Sequence, residues 1–404
     1  MRDEVLRRCG ASVDIEASEL DAQSWCEVNI DALRDHMVAM KRHLPLGSRL
    51  APAVKSNGYG HGLLLAARAF LDGGADWLCV HTLAEARALR QAGFEVPIYL
   101  FGPTHVSEVA EIVSLGLHFV VYDADIILEL KRLAVATPDA VKRVGIHLKI
   151  ETGNHRQGVS LPYALELVRL MQTCPPLQLV GIASHFANIE DTEDHSFAEL
   201  QFSRLRQVSA EITHAWGHPL FTHIANSAAT LLWPSRALSL ARTGIAAYGL
   251  WPSTPVQDVV SAQLSPPLRP ALSWRARLAQ VKEVPAQQPI GYGCTFVTQR
   301  PSRIAVVPVG YFEGYDRALS NRGHVLIHGE IAPIRGRICM NMFMVDVTDI
   351  PEARRGDIAT LLGRDGGREV SAERLAEWCE TINYEIVSRI ASHLPRVIIR
   401  DHST

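Results

Sequence analysis

The sequence predicts an α/β chain, with an N-terminal (β/α)8 TIM-like barrel followed by a mostly antiparallel β-domain. Three observations carry this prediction. Between Leu50 and Arg242, short apolar, β-rich runs alternate with longer helical runs, the pattern of parallel strands joined by helices. Eight such runs are present, and no GxGxxG turn follows the first, which favours a barrel over a doubly wound open sheet. From about Ala271 onward the pattern changes to short alternating runs broken by turns.

Residues 1–23 mix Arg, Asp and Glu without an apolar core, so they read as a tail and not as a secretory signal. Residues 25–30 alternate like a strand and are expected to pair with the β-domain. The barrel, 24–255, has strand candidates at Leu50–Lys55, Trp77–His81, Ile98–Phe101, His118–Tyr122, Gly145–Lys149, Leu179–His185, Phe221–Ala225 and Leu238–Arg242. Helical patterns separate most of them, and Pro175 and Pro176 stop the helix before the sixth strand. The Pro- and Ser-rich segment Trp251–Pro270 holds the boundary, and the β-domain takes 256–404. Its strand candidates are Ala276–Val281, Arg303–Val309, Val325–Ile327, Ala332–Ile338, Phe343–Val347, Ile358–Leu362 and a closing run, Pro395–Arg400. His328-Gly329 and Asp365-Gly366 mark turns, and Ser371 caps a short helix.

Composition narrows the class. At 47% apolar and 21% charged, the chain has the make-up of a soluble globular protein. A net charge of -3 gives no electrostatic reason to expect nucleic acid or a membrane surface as partner. No apolar run reaches the roughly 18 residues of a membrane span. The seven cysteines are odd in number, scattered and without a CxxC pair. That pattern argues for reduced thiols, a cytoplasmic location and no metal site.

Barrel active sites lie at the C-terminal ends of the strands. Polar residues gather at those ends here: Lys55 after the first strand, Lys149 ending the fifth, His185 the sixth, Asn226-Ser227 after the seventh and Arg242-Thr243-Gly244 after the eighth. Lys55 alone reads equally as a snorkelling strand-end lysine or as a nucleophile whose neutral amine attacks a carbonyl. Ser227 alone reads as a helix cap, but beside Gly244 and Lys55 it reads as an anion ligand. The Gly244 and Ile245 amides are further donors. A phosphate site and a Schiff-base lysine together suggest pyridoxal phosphate.

The chain resembles the bacterial alanine racemases, fold-type III pyridoxal-phosphate enzymes. The motifs that carry the resemblance are AVKSNGYGHG (53–62), HLKIETGNHRQG (147–158), SHFANIED (184–191), HIANSAATL (223–231), ARTGIAAYGL (241–250), GYGCT (291–295), GRICMNMFMVDV (336–347) and TINYEI (381–386). They span most of the chain. The resemblance implies that Lys55 holds the cofactor and also serves as the base for D-alanine, with Tyr292 as the base for L-alanine. Two bases on opposite faces of the α-carbon perform racemisation directly. It further implies that His185 orients Tyr292, and that Arg242 lies behind His185 and faces the pyridine nitrogen. Tyr59, Ser227, Gly244, Ile245 and Tyr384 would contact the phosphate. Arg156 and Met340 would contact the substrate, and Tyr311 would narrow the entrance. Lys149 matches a lysine that is carbamylated in some relatives. A head-to-tail homodimer with shared sites, making D-alanine for peptidoglycan, is also implied.

Two departures stand out. Many relatives read Cys-Met-Asp where this chain has Cys339-Met340-Asn341, and Cys379 stands where a small residue is expected. The first motivates an alternative, a racemase of broader or different specificity, such as serine. A non-catalytic pyridoxal-phosphate carrier is opposed by the GYGCT and Met340 motifs. A decarboxylase on the same two-domain plan is opposed by Arg242, where that family places a carboxylate.

Overall fold

The computed structural model describes residues 21–401, so the tail expected at 1–23 lies almost wholly outside the described residues. The chain divides into two units. One comprises the described residues up to Ala32, including β1 (Ser24–Asn29), together with Ser56–Ala66 and the chain from Pro270. The other comprises Leu33–Lys55 and Ala67–Arg269.

The second of these is the barrel. Its strands are β2 (Arg49–Leu50), β3 (Leu78–Val80), β4 (Ile98–Leu100), β5 (His118–Val121), β6 (Gly145–Lys149), β7 (Gln178–Ala183), β8 (Phe221–His223) and β9 (Leu240–Ala241). All eight expected runs are therefore strands. β3 to β8 pair in parallel and in sequence order, and β2 pairs in parallel with β9. Backbone bonds close the ring. Ala53 bridges Cys79, and the Arg242 amide donates to the Ala225 carbonyl at 3.2 Å. The strands are shorter than the runs that announce them, because the chain turns outward into its loops at the C-terminal rim. Inward positions carry Tyr99, His147 and His223, all buried and in ring contact with one another, while Phe119, Leu148 and Ile182 alternate to the outer face, where they are buried too. The helix Leu83–Gln91 opens with a capping box, in which Thr82 and Glu85 satisfy each other's backbone amides.

The other unit is built from β1, β10 (Leu272–Arg277), β11 (Gln280–Val284), β12 (Pro289–Ile290), β13 (Phe296–Val297), β14 (Ser302–Val307), β15 (His324–Ile327), β16 (Glu330–Pro333), β17 (Phe343–Asp346), β18 (Ile358–Asp365), β19 (Arg368–Val370) and β20 (Arg396–Ile399). One sheet runs β16-β15-β18-β10-β1-β20, and a second runs β11-β14-β17. All these pairs are antiparallel except β1 with β20. The run Ala276–Val281, expected as one strand, is two. Leu278 donates to the Asp357 carbonyl and Ala279 to that of Val306, so the chain changes sheets between them. The run Ala332–Ile338 stops as a strand at Pro333, which cannot donate to a ladder. His328 and Gly329 have φ values of 54° and 76°, as a tight hairpin turn requires.

The division between units falls at Pro270, whereas the sequence placed it at 255/256. The reason is the helix Thr254–Val260. Ser253 caps it, and it buries Val256 and Val260 against Ser227–Leu232. That apolar face keeps the segment with the barrel.

Candidate active site

Lys55 is the last residue of its barrel segment, one step beyond Val54, whose amide donates to the Cys79 carbonyl at 2.8 Å. Its Nζ lies 5.5 Å from the centroid of the Phe101 ring. Burial pulls the amine below the ordinary lysine range, Arg156 pulls it further, and Glu85 opposes both. The chain then makes a left-handed turn. Ser56, Asn57, Gly58 and Tyr59 have φ values of 55°, 54°, 60° and 50°. Three of the four are not glycine, at a cost of roughly 1–2 kcal/mol each. Local bonds hold the turn: Gly60 to the Ser56 carbonyl, Gly62 to that of Asn57, and Leu63 to the Asn57 side-chain oxygen at 3.1 Å. Gly60 is required next, because a Cβ there would lie 2.0 Å from the Val387 carbonyl. The turn leaves Tyr59 with its ring centroid 6.5 Å from that of Tyr384, so two of the expected phosphate ligands meet.

On the barrel rim the structure gathers cations around His185. Burial holds the imidazole well below its usual range, followed by the charges of Lys149, Arg242, Arg156 and Lys55. No carboxylate is among the groups that shift it. Lys149 is itself buried, and burial, Arg242 and Arg156 depress its amine strongly, with Glu151 opposing. The loop after Lys149 is tied at its base, where Glu151 donates to the Val159 carbonyl and Val159 to that of Lys149. Gly158, at φ +134°, permits that closure, since a Cβ would meet the Glu151 nitrogen at 2.8 Å. Buried Gln201 donates to the His185 carbonyl at 3.2 Å and accepts from the Ala187 amide at 2.9 Å. Sequence reasoning had no signal for this brace.

Arg242 is buried, and its fork is anchored on backbone and imidazole. Nη2 donates to the Ser184 carbonyl at 2.8 Å and to His185 Nδ1 at 3.4 Å, and Nη1 donates to His223 Nδ1. A guanidinium only donates. His185 Nδ1 is therefore an acceptor, and its proton is on Nε2. The same logic runs down the barrel. His223 Nε2 donates to His147 Nδ1 at 2.9 Å, and His147 Nε2 donates to His118 Nδ1 at 3.2 Å. His147 and His223 are the polar core residues that sequence reasoning missed.

This neutral chain has a consequence for stability. Burial pushes His36 and His118 down to about 4, and holds His147, His185 and His223 well below 6.5. Below about 6.5 the unfolded chain takes up protons that the native one refuses. The stabilisation is therefore present in full above that pH and is lost as pH falls towards the folded values. Each histidine contributes a slope of up to about 1.4 kcal/mol per pH unit. Melting curves from pH 7 to pH 5 should show a falling midpoint, and His147→Gln should flatten the slope.

At the seventh and eighth strand ends, Asn226 caps the helix Ser227–Leu232, which leaves the Ser227 side chain for another task. Ser227 Oγ accepts from the amides of Gly244 at 2.8 Å and Ala246 at 3.3 Å. Ser227, Gly244 and the turn that begins at Ile245 are thus drawn together. The buried Thr243 hydroxyl beside them has no partner among the described residues.

The β-unit carries the remaining candidates on its surface. Tyr292 follows Gly291 (φ 71°) between β12 and β13 and is 73% exposed. Met340 and Tyr311 are also exposed, and their segments are joined by backbone bonds, Tyr311 to the Cys339 carbonyl and Phe312 to that of Met340. Asn341 donates to buried Glu313, a residue sequence reasoning did not single out.

Comparison with known proteins agrees with these features. Residues 28–252 match the family model of the alanine racemase N-terminal domain, and residues 271–398 match that of the C-terminal domain. An alanine racemase of Syntrophobacter fumaroxidans is 40% identical over 369 residues, covering 91% of this chain and 96% of that one. Among solved structures, the alanine racemase of D-cycloserine-producing Streptomyces lavendulae is 36% identical with a TM-score of 0.84, covering 94% of this chain and 98% of the other. That of Bartonella henselae, with covalently bound pyridoxal phosphate, is 25% identical with a TM-score of 0.80, covering 94% and 100%.

Proposed function

Because the chain belongs to the alanine racemase family and is an isomerase that interconverts L- and D-alanine, we propose that it works with pyridoxal phosphate held on Lys55, with Lys55 and Tyr292 as opposed bases. The observation that carries this reading is the depressed Lys55 amine among Arg156, Arg242, Lys149 and His185. A neutral amine is the nucleophile that a cofactor carbonyl needs, and a cationic rim suits its phosphate and the substrate carboxylate. Ser227 offers its hydroxyl and Ile245 its amide to the phosphate, the Gly244 amide holds the Ser227 oxygen in place, and the unpartnered Thr243 hydroxyl adds a polar group beside them. Tyr59 and Tyr384 are the further phosphate contacts expected of the family, and their rings lie together. When bound, the cofactor supplies an electron-withdrawing ring that acidifies the α-hydrogen of the amino acid.

The protein's own residues do the rest. From D-alanine, Lys55 takes the α-proton and Tyr292 delivers one to the opposite face; from L-alanine, Tyr292 takes it and Lys55 delivers. Arg156 orients the substrate carboxylate through a charge-assisted contact. Arg242 donates towards the ring nitrogen but keeps its proton, because a guanidinium does not release one at neutral pH. That restraint favours return of the α-proton over competing outcomes. His185 presents Nε2–H, a donor suited to a tyrosine acting as a base. Lys149, buried and depressed by the charges of Arg242 and Arg156, is the lysine to carry a carbamate, whose charge would offset theirs. Tyr311 and Met340 shape the substrate entrance.

The two bases come from different chains of a head-to-tail homodimer. Supporting this, the β-unit exposes Tyr292, Phe312 and Met340 at 73%, 62% and 55%, large apolar groups that a partner would cover. A cytoplasmic enzyme supplying D-alanine for peptidoglycan fits the free thiols at Cys26, Cys79, Cys174, Cys294, Cys339 and Cys379. Among the described residues no helix is long and apolar enough to cross a membrane. Subunit mixing tests the shared site. Lys55→Ala and Tyr292→Phe dimers are each expected to be inactive. Hybrids have one site with both substitutions and one with neither, so random exchange should restore about a quarter of wild-type activity. No recovery in verified hybrids would place both bases in one chain.

A further inference from the structure

We propose that Glu313 and Asn341 form a clasp that fixes the spacing of the segments carrying Tyr311 and Met340, and so sets the size of amino-acid side chain that the site admits. This rests on the assignment of Tyr311 and Met340 to the substrate entrance.

The two segments cross at close quarters. Tyr311 donates to the Cys339 carbonyl at 3.1 Å and Phe312 to that of Met340 at 2.9 Å. A Cβ on Gly310 would lie 2.2 Å from the Cys339 oxygen and 2.3 Å from the Met340 oxygen, so only glycine allows the approach. Glu313 closes the crossing from the side. It is buried, and each carboxylate oxygen is met by one neutral donor. Oε2 accepts from the Gly310 amide at 2.7 Å, and Oε1 accepts from Asn341 Nδ2 at 2.7 Å. Its own carbonyl accepts from Ala391 at 3.0 Å, and Phe312 stacks on His393 with ring centroids 5.4 Å apart. One carboxylate thus ties the Tyr311 segment to the Met340 segment and anchors both to the unit.

The identity of residue 341 decides whether the clasp needs a proton. An amide donates at every pH. A carboxylate at that position would face the Glu313 carboxylate, and two such groups hold together only while they share a proton. Asn341 therefore closes the clasp without the need for a shared proton. Glu313 and Asn341 are positioning residues. They act through Tyr311 and Met340, so their loss should raise KM and alter the ratio of alanine to serine turnover more than it lowers kcat.

The hydrogen-bond pattern supplies its own rescue. Glu313→Gln keeps the clasp, because the Asn341 amide turns over so that its Oδ1 accepts from the glutamine Nε2 while the glutamine oxygen accepts from Gly310, whereas Glu313→Leu removes both acceptors and breaks it at any pH. Asn341→Asp breaks it progressively as pH rises through the titration of the pair. In the double variant, the glutamine oxygen accepts from Gly310 while its amide donates to the introduced carboxylate, which restores both bonds. In the holoenzyme, Glu313→Leu, and Asn341→Asp at high pH, should each raise KM for alanine about tenfold, whereas Glu313→Gln and the Glu313→Gln/Asn341→Asp double variant should stay within about threefold of wild type. The KM of Asn341→Asp should climb from pH 6 to pH 9, while that of the double variant stays flat. Melting midpoints of the same proteins should follow the same reciprocal pattern. A double variant no better than Asn341→Asp, a wild-type KM in Glu313→Leu, or a flat KM in Asn341→Asp overturns the clasp. Tyr311→Ala and Met340→Ala serve as a separate arm. If these leave KM unchanged, the entrance assignment fails; if they raise it while the clasp variants do not, only the clasp does.

Discussion

Replacing Lys55 with alanine abolishes racemisation from both enantiomers, with kcat/KM falling by about 10³-fold or more. One side chain is asked for two tasks, to hold the cofactor and to move the α-proton of D-alanine, and neither can be met by a methyl group. The competing nucleophile is Lys149, whose amine is depressed even further. Burial separates the two lysines. Lys149 has 8% of its surface exposed, whereas Lys55 is half-buried beside the Phe101 ring. A ligand can reach the second and not the first. Borohydride reduction of the holoenzyme followed by peptide mapping checks this without relying on turnover. The cofactor should be fixed on the peptide containing Lys55, and its recovery on Lys149 would reverse the assignment. Lys55→Ala protein should keep its melting midpoint to within a few degrees, because a strand-end lysine contributes little packing.

Much of this site was legible in the residue order, because a parallel barrel collects polar strand ends at one rim. Lys55, Lys149, His185, Ser227 and Arg242 are each placed by a simple count along an apolar run. His147 could have been found in the same way. It stands two residues before Lys149 on one strand and so shares its face, a polar group inside an apolar run. His223 shows only as a polar residue in the middle of the next run but one, Phe221–Ala225. Its bond to Arg242 depends on how the ring of strands closes. The three glycines after Lys55 announce a turn, but not its left-handed run, since serine, asparagine and tyrosine occupy three of the four positions. Local bonds hold it, and the Val387 carbonyl that lies against Gly60 is distant in sequence. Glu313 was hidden for the same reason, as its role exists only where two loops cross. In the β-unit the misread runs were those where a strand changes sheets, at Leu278-Ala279, or meets a proline, at Pro333. Alternation of apolar residues carries through both places, and hydrogen-bond supply does not.

Tyr292→Phe should produce an asymmetry that rates of racemisation alone cannot reveal. L- and D-alanine have equal free energies in solution, so the two values of kcat/KM must remain equal in any variant, and both should fall together by about 10²–10⁴-fold. Exchange of the α-hydrogen with deuterated solvent has no such constraint. Lys55 is untouched in this variant, so D-alanine should still exchange its α-hydrogen and be recovered as deuterated D-alanine. L-alanine, which presents its α-hydrogen to the missing phenol, should remain protiated. In the wild-type enzyme, the product formed from either enantiomer should carry solvent deuterium. Equal loss of exchange from both enantiomers in Tyr292→Phe would mean that the tyrosine serves the site as a whole, not one face of it. The exposed placement of Tyr292 makes this test clean. At 73% exposure it packs little within its own chain, so its removal should leave the fold intact and report on proton transfer alone.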